Sequence, residues 1–171
     1  MEAGTCARIL TLRGERSMGR TSASALRIIA LGNPDRGDDG AALLVASRFQ
    51  GRVPVILAGR PGMGLLDLMS PSRRCILLDV TRTGSPPGTI HRIPLEDLTP
   101  DSLPDARVSS HGLGPGEALA LGRALGRDLP EGVFIGIEGE DFGQGARLSG
   151  SVRRNLVRLE EMTRTCLEER G

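Results

Sequence analysis

From Arg27 onward, short apolar runs alternate with stretches in which apolar residues recur every three or four positions. Period-two or continuous apolar runs predict strands and the longer recurrence predicts helices. The first strand falls at about 27–32. A helix follows at about 39–49, with Leu43, Leu44, Ala46 and Phe49 on its apolar face and Gly51 at its end. A second strand covers 53–58. The turn of Gly59, Pro61, Gly62 and Gly64 then leads to a short helix through Leu65, Leu66, Leu68 and Met69, closed by Pro71. Residues 75–80 form a continuous apolar run, the signature of a strand buried on both faces, with Asp79 at its end. A Gly/Pro turn at 83–88 separates it from a fourth strand, 89–93, near enough to be an antiparallel or edge addition. A long polar connection, 94–110, contains Pro94, Pro100 and Pro104, and a connection of that length is more often functional than decorative.

The third helix covers roughly 113–126, with Leu113, Ala118, Leu121 and Leu125 on one side. Pro115 is tolerated only in a first turn, so this helix is expected to start near His111. A fifth strand spans 133–137. The last helix starts near Ser149, a good cap, and carries the stripe Val152, Leu156, Leu159, Met162 and Cys166. The order β-α-β-α-β-β-α-β-α predicts an α/β fold: one three-layer α-β-α domain with a twisted, mostly parallel five-stranded sheet.

Length agrees with one domain, because 171 residues bury a sizeable core. Residues 1–25, rich in Arg, Ser, Thr and Gly without periodicity, read as a disordered extension before a domain at 26–171. Met18, just ahead of the first convincing strand, is a candidate natural start alongside Met1. A net charge of +1 with interspersed signs gives no nucleic-acid face, and the locally basic stretch 7–27 reads as a solvated tail. Three Phe with no Tyr or Trp leave no aromatic platform for bases or sugars. No apolar run approaches the roughly 18 residues of a membrane span, and no continuous apolar stretch marks a secretory signal. The expectation is a cytoplasmic protein without membrane insertion. Cys6, Cys75 and Cys166 are too scattered for a zinc site, and the latter two fit apolar runs as small core residues.

Candidate chemistry begins in the turn after the first strand, 31–40. Gly-rich turns before a helix usually cradle phosphate, but here the helix opens with Asp38 and Asp39, which repel an anion and suit a cation. Ligands of such sheets bind at the carboxyl ends of the strands. Asp39 follows the first strand, Asp79 ends the third, and His111 arrives from the long connection. Two carboxylates and an imidazole suit a borderline divalent ion such as nickel, zinc or manganese. Each residue has a plainer reading. Asp38 or Asp39 could cap the helix, and periodicity does not decide which. Asp79 could be a turn residue, although a carboxylate closing an apolar strand is costly unless paired or coordinated. His91 alternates with apolar neighbours in its strand and is expected to face solvent. There is no G-x-S-x-G elbow, no H-E-x-x-H, no Walker A sequence and no G-x-G-x-x-G. A hydrolase on this chain would have to be metal-assisted.

The ordered set Gly32-Asn33, Asp38-Asp39-Gly40, the apolar strand ending in Asp79, Gly84-Ser85-Pro86-Pro87-Gly88-Thr89, Ser109-Ser110-His111-Gly112-Leu113 and Gly136-Ile137-Glu138 resembles the hydrogenase maturation proteases. The likeness runs from about Arg27 to the last helix. It implies an α/β fold with a twisted sheet and an aspartic-type endopeptidase. Such an enzyme clips a C-terminal extension from the precursor of a nickel–iron hydrogenase large subunit, after a basic residue that follows the last cysteine pair. Nickel, carried by that precursor, belongs to the recognised substrate, and zinc or another divalent ion could substitute in isolation. By motif position the metal-contacting and catalytic residues are Asp39, Asp79 and His111, with Asn33, Asp38 and Gly40 in support. The first of these is Glu or Asp in the family. Asp38 is expected to cap the first helix and hold Asp39 in place. The chain departs from the pattern at Gly114-Pro115-Gly116, which loosens the helix after His111. It departs again at Gly139, where a proline is common, and in its first 25 residues. The alternatives are another metal-dependent hydrolase acting on a small molecule and a non-catalytic nickel-binding maturation factor.

Overall fold

The computed structural model describes residues 26–70, 72–103, 113–145 and 147–169. The expected extension at 1–25, Pro71, and the segment 104–112 with Ser109, Ser110 and His111 lie outside the described residues.

The elements follow the predicted order. They are β1 (Leu26–Leu31), a 3-10 turn (Gly37–Gly40), α1 (Ala41–Ser47), β2 (Val55–Gly59), α2 (Gly64–Met69), β3 (Arg74–Thr81) and β4 (Ile90–Pro94). A 3-10 turn (Pro100–Ser102), α3 (Pro115–Ala124), β5 (Glu131–Glu138) and α4 (Gly150–Glu168) complete them. The sheet runs β2-β1-β3-β5-β4, with every pair parallel except β4 with β5. Alternating side chains of the central strands supply two separate cores. Ile28, Ala30, Ile76, Leu78, Ile135 and Ile137 pack with Val45 of α1 and Val152, Leu156 and Leu159 of α4. Ile29, Leu31, Cys75, Leu77 and Phe134 pack with Leu65, Leu66 and Met69 of α2 and Leu119 of α3. This is the expected three-layer arrangement, and it explains why β1 and β3 are apolar at nearly every position. Fully burying one such Leu or Ile contributes about 1.5–3 kcal/mol.

The chain leaves β1 to one side for β2, then crosses to the other side of β1 for β3. The strand order therefore reverses at β1, and the crevice beyond the carboxyl ends of β1 and β3 is where open α/β sheets receive ligands. Asp39 and Asp79 both belong to that edge.

Several local expectations are corrected. The first helix is a 3-10 turn that carries Asp38 and Asp39 and only then becomes α-helical at Ala41. Leu44 is exposed, because Ala41, Ala42, Val45 and Ala46 form the buried stripe instead. α3 starts at Pro115, not near His111, since Gly114 is extended and serves as its N-cap. Its buried stripe is Pro115, Ala118, Leu119 and Gly122, while Leu113, Leu121 and Leu125 are exposed. Gly122 sets that phase: a Cβ there would lie 2.8 Å from Leu66 Cδ2, so α2 and α3 touch through the glycine. Asp79 lies inside β3, which continues to Thr81. Ser149 caps α4 as expected, its hydroxyl accepting the Val152 N–H at 3.3 Å.

Candidate active site at the carboxyl edge of the sheet

The turn after β1 is built around backbone contacts that the sequence carries in its glycines and polar residues. The Gly32 N–H donates to the Gly59 carbonyl at 2.9 Å, closing β1 onto the end of β2. At φ +123°, Gly32 occupies a conformation that side chains disfavour. A Cβ there would lie 2.0 Å from the Asp39 carbonyl oxygen. Only glycine lets Asp39 fold back against the strand end. Asn33 accepts the Asp35 N–H at 2.9 Å, an Asx turn that starts the reversal. Gly40 packs against Pro34, with 3.1 Å available for a Cβ, so bulk there would push the turn open.

Asp38 and Asp39 diverge completely. Asp38 is fully buried and caps neither the 3-10 turn nor α1. Its Oδ2 accepts the N–H groups of Glu140 (2.8 Å) and Asp141 (2.9 Å), and its Oδ1 accepts that of Ser149 (2.7 Å). Its own N–H donates to the Asp141 carbonyl at 2.8 Å. The expected helix cap is thus a bolt between the first turn and the segment joining β5 to α4. A buried carboxylate is tolerated because three N–H donors replace its water. These bonds fix the residue that precedes Asp39 in the turn.

Asp39 is also buried, its side chain 8 % exposed, and its Oδ2 accepts a hydrogen bond from Arg60 Nη2 at 2.6 Å. Arg60 follows directly on Gly59, so the Gly32–Gly59 backbone contact brings it alongside the turn. Asp79, half-buried one step beyond the β1–β3 pair Ala30–Leu78, accepts its own successor's N–H, that of Val80, at 2.8 Å. Burial pushes the Asp79 carboxyl up to about 7. The Val80 N–H opposes that shift, the negative charge of Asp39 adds to it, and Arg60 opposes it. Asp39, Arg60 and Asp79 therefore share one electrostatic field at the edge of the sheet. Among the described residues no group of three His, Cys, Asp or Glu gathers as a metal site. The pair offers two carboxylates of the hard-to-borderline kind that holds a divalent ion with a further donor. His111, the expected third member, lies outside the described residues.

A second carboxylate cluster stands where β3 and β5 end. Glu138, 3 % exposed, accepts the N–H groups of Thr83 (2.6 Å) and Gly84 (2.9 Å) on Oε1. On Oε2 it accepts the hydroxyls of Thr81 (2.7 Å) and Thr83 (3.1 Å). His91 Nε2 lies 3.4 Å from the same oxygen, and the His91 side chain is only 21 % exposed. His91 therefore does not face solvent as its alternation suggested. The turn after β3 folds over it, with Thr83 Oγ1 3.4 Å from its Nε2. Gly139, the departure from the resemblance, is explained by the same corner. Its N–H donates to the Thr81 carbonyl at 3.0 Å, which proline cannot do, and Phe142 occupies the space a side chain would need. Phe142 also carries the Arg82 guanidinium 3.8 Å above its ring, and its carbonyl accepts from Arg36 Nε at 3.3 Å.

Sequence reasoning missed Arg60 and undervalued Glu138. Both signals were available. Arg60 stands at the carboxyl end of a strand, where the rule that selected Asp79 applies equally. Glu138 closes an apolar strand and so required partners by the argument made for Asp79.

The chain is similar to known proteins in the same sense throughout. The family model described as hydrogenase maturation protease matches residues 41–165. The hydrogenase expression/formation protein HupD of Thiocapsa roseopersicina is 28% identical over 154 residues, covering 84% of this chain and 68% of that protein. Among solved structures, the hydrogenase maturating endopeptidase HybD from E. coli superposes with a TM-score of 0.73 at 21% identity, over 85% of this chain and 93% of that one. The [NiFe] hydrogenase maturation protease HycI from Thermococcus kodakarensis KOD1 does so with a TM-score of 0.57 at 25% identity, over 86% and 96%.

Proposed function

This chain belongs to the hydrogenase maturation protease family and is a peptidase, and from that premise we propose that it removes the C-terminal extension of a nickel-loaded hydrogenase large-subunit precursor. The observation that carries the reading is the placement of Asp39 and Asp79 in one field at the β1–β3 switch point. In this reading Asp39, Asp79 and His111 contact the nickel that the precursor brings. Two carboxylates and an imidazole are a donor set that borderline divalent ions accept, with positions left over for the precursor's own ligands. The metal is substrate, not a resident cofactor. Docking through it fixes the scissile bond relative to the sheet edge, which supplies the positioning part of catalysis. Water polarised by the metal or by a carboxylate attacks the scissile carbonyl. The peptide carbon–nitrogen bond breaks, and the nitrogen leaves as the amine with a proton. Asp38 and Gly32 act through Asp39, by holding its backbone against the strand end.

The cytoplasm, where the precursor is made, is the corresponding site of action. No described helix is long and apolar enough to cross a membrane. Incubating the purified protein with nickel-loaded and nickel-free precursor and weighing the products by intact-mass spectrometry tests the reading. Loss of a C-terminal peptide from the loaded form alone is expected. An unchanged mass for the loaded form overturns it.

A further inference from the structure

We propose that Arg60 is a specificity-determining residue, a built-in counter-ion that occupies Asp39 in the free protein and keeps free divalent cations out of the site. The inference rests on the proposed reading of Asp39 as a contact for the substrate's metal. Its own basis is the ion pair itself. Asp39 is buried to 8 % exposure of its side chain, and one of its two carboxylate oxygens, Oδ2, is already bonded to Arg60 Nη2 at 2.6 Å. A guanidinium does not lose its proton in a protein, so this oxygen is released only by movement of the arginine.

Arg60 is placed to move. Its side chain is 46 % exposed, whereas that of Asp39 is not, so the arginine can leave into water while the carboxylate stays. Gly59 at φ +61° and Gly62 at φ +54° flank it within three residues, and neither has anything but open space or distant backbone where a side chain would go. Of the two carboxylates it is Asp39 that Arg60 bonds, while Asp79 Oδ1 accepts the Val80 N–H within β3.

A hydrated cation that takes Asp39 Oδ2 must break this pair and then sit beside the displaced positive charge, gaining no contact beyond the site's own ligands. A metal presented by a folded precursor meets the same obstacle, but the docking surface of that precursor contributes binding besides. The repulsive element thus separates two sources of one metal, as negative selection does at other interfaces. The displaced guanidinium, on the exposed lip of the site, is then available to an anionic group of the docked precursor.

Nickel chloride titrated into the full-length protein, in competition with a chromophoric chelator, reads this directly. Arg60→Met is expected to tighten nickel binding at least about tenfold, while Arg60→Lys, which keeps a positive charge, stays within about threefold of the parent. Adding Asp39→Asn to Arg60→Met is expected to abolish the gain. Arg60→Met binding nickel no tighter than the parent overturns the proposal, as does a gain that survives Asp39→Asn. Failure of the parent protein to cleave loaded precursor overturns the protease reading instead, and leaves the titration result standing.

Discussion

Asp38 Oδ1 accepts the Ser149 N–H at 2.7 Å, so one carboxylate joins the first turn of the sheet to the cap of the last helix, 111 residues away in sequence. The same side chain holds Glu140 and Asp141, and with Ser149 it fixes the start of α4. Asp38→Ala leaves three N–H groups without their acceptor in a buried place. A loss of about 3–5 kcal/mol is expected, by the cost of breaking buried charge-assisted bonds. Urea denaturation measures it. A loss below about 1 kcal/mol would mean that water replaces the carboxylate freely.

Glu138 makes a graded prediction. In Glu138→Gln the amide oxygen can keep the Thr83 and Gly84 N–H groups, and the amide nitrogen can donate to the Thr81 and Thr83 hydroxyls, which rotate to accept. About 1–2 kcal/mol is expected for Gln and about 3–5 kcal/mol for Ala. Equal losses for the two would show that charge, not hydrogen-bond geometry, holds the corner.

Asp79 works against folding, as a half-buried carboxylate whose charged form has lost part of its water does. Its carboxyl rises from the ordinary 3.8 to about 7. Between those values the folded protein holds a proton that the unfolded chain has lost. Stability therefore falls as pH rises through this window and levels off above about 7. Asp79→Asn keeps an oxygen for the Val80 N–H and carries no charge. The variant is expected to be more stable than the parent by roughly 1–3 kcal/mol at pH 8 and equal to it near pH 4, after allowing for partial exposure of the site. Thermal melts at the two pH values give the answer. A parent whose stability climbs from pH 4 to 8 by the margin expected for the variant would refute the assignment.

How far the sequence announced this molecule can be read from particular residues. The strand–helix alternation from Arg27 on specified the order of elements, because the apolar runs of β1 and β3 have no other stable placement than the middle of a parallel sheet. The antiparallel β4 was implied by the short turn before it. Helix faces were less legible. In α3 a glycine at 122, not a leucine, marks the buried side, since α2 approaches too closely for anything larger. The division of labour between Asp38 and Asp39 was invisible for a similar reason. Both are carboxylates at a helix start, and only the long-range partners distinguish them: backbone N–H groups of residues 140, 141 and 149 for one, Arg60 for the other. Such contacts across many residues leave no periodic trace. The motif resemblance nevertheless selected Asp39 and Asp79, and the fold places both at the switch point of the sheet.

The central claim is that the precursor's metal is captured by Asp39, Asp79 and His111. Its most direct test is cleavage of nickel-loaded precursor by the double variant Asp79→Ala/His111→Ala, followed by intact-mass spectrometry beside the parent protein. The account predicts that the extension stays on the precursor in the presence of the double variant, at a protein concentration where the parent removes it completely. Full cleavage by the double variant would contradict it.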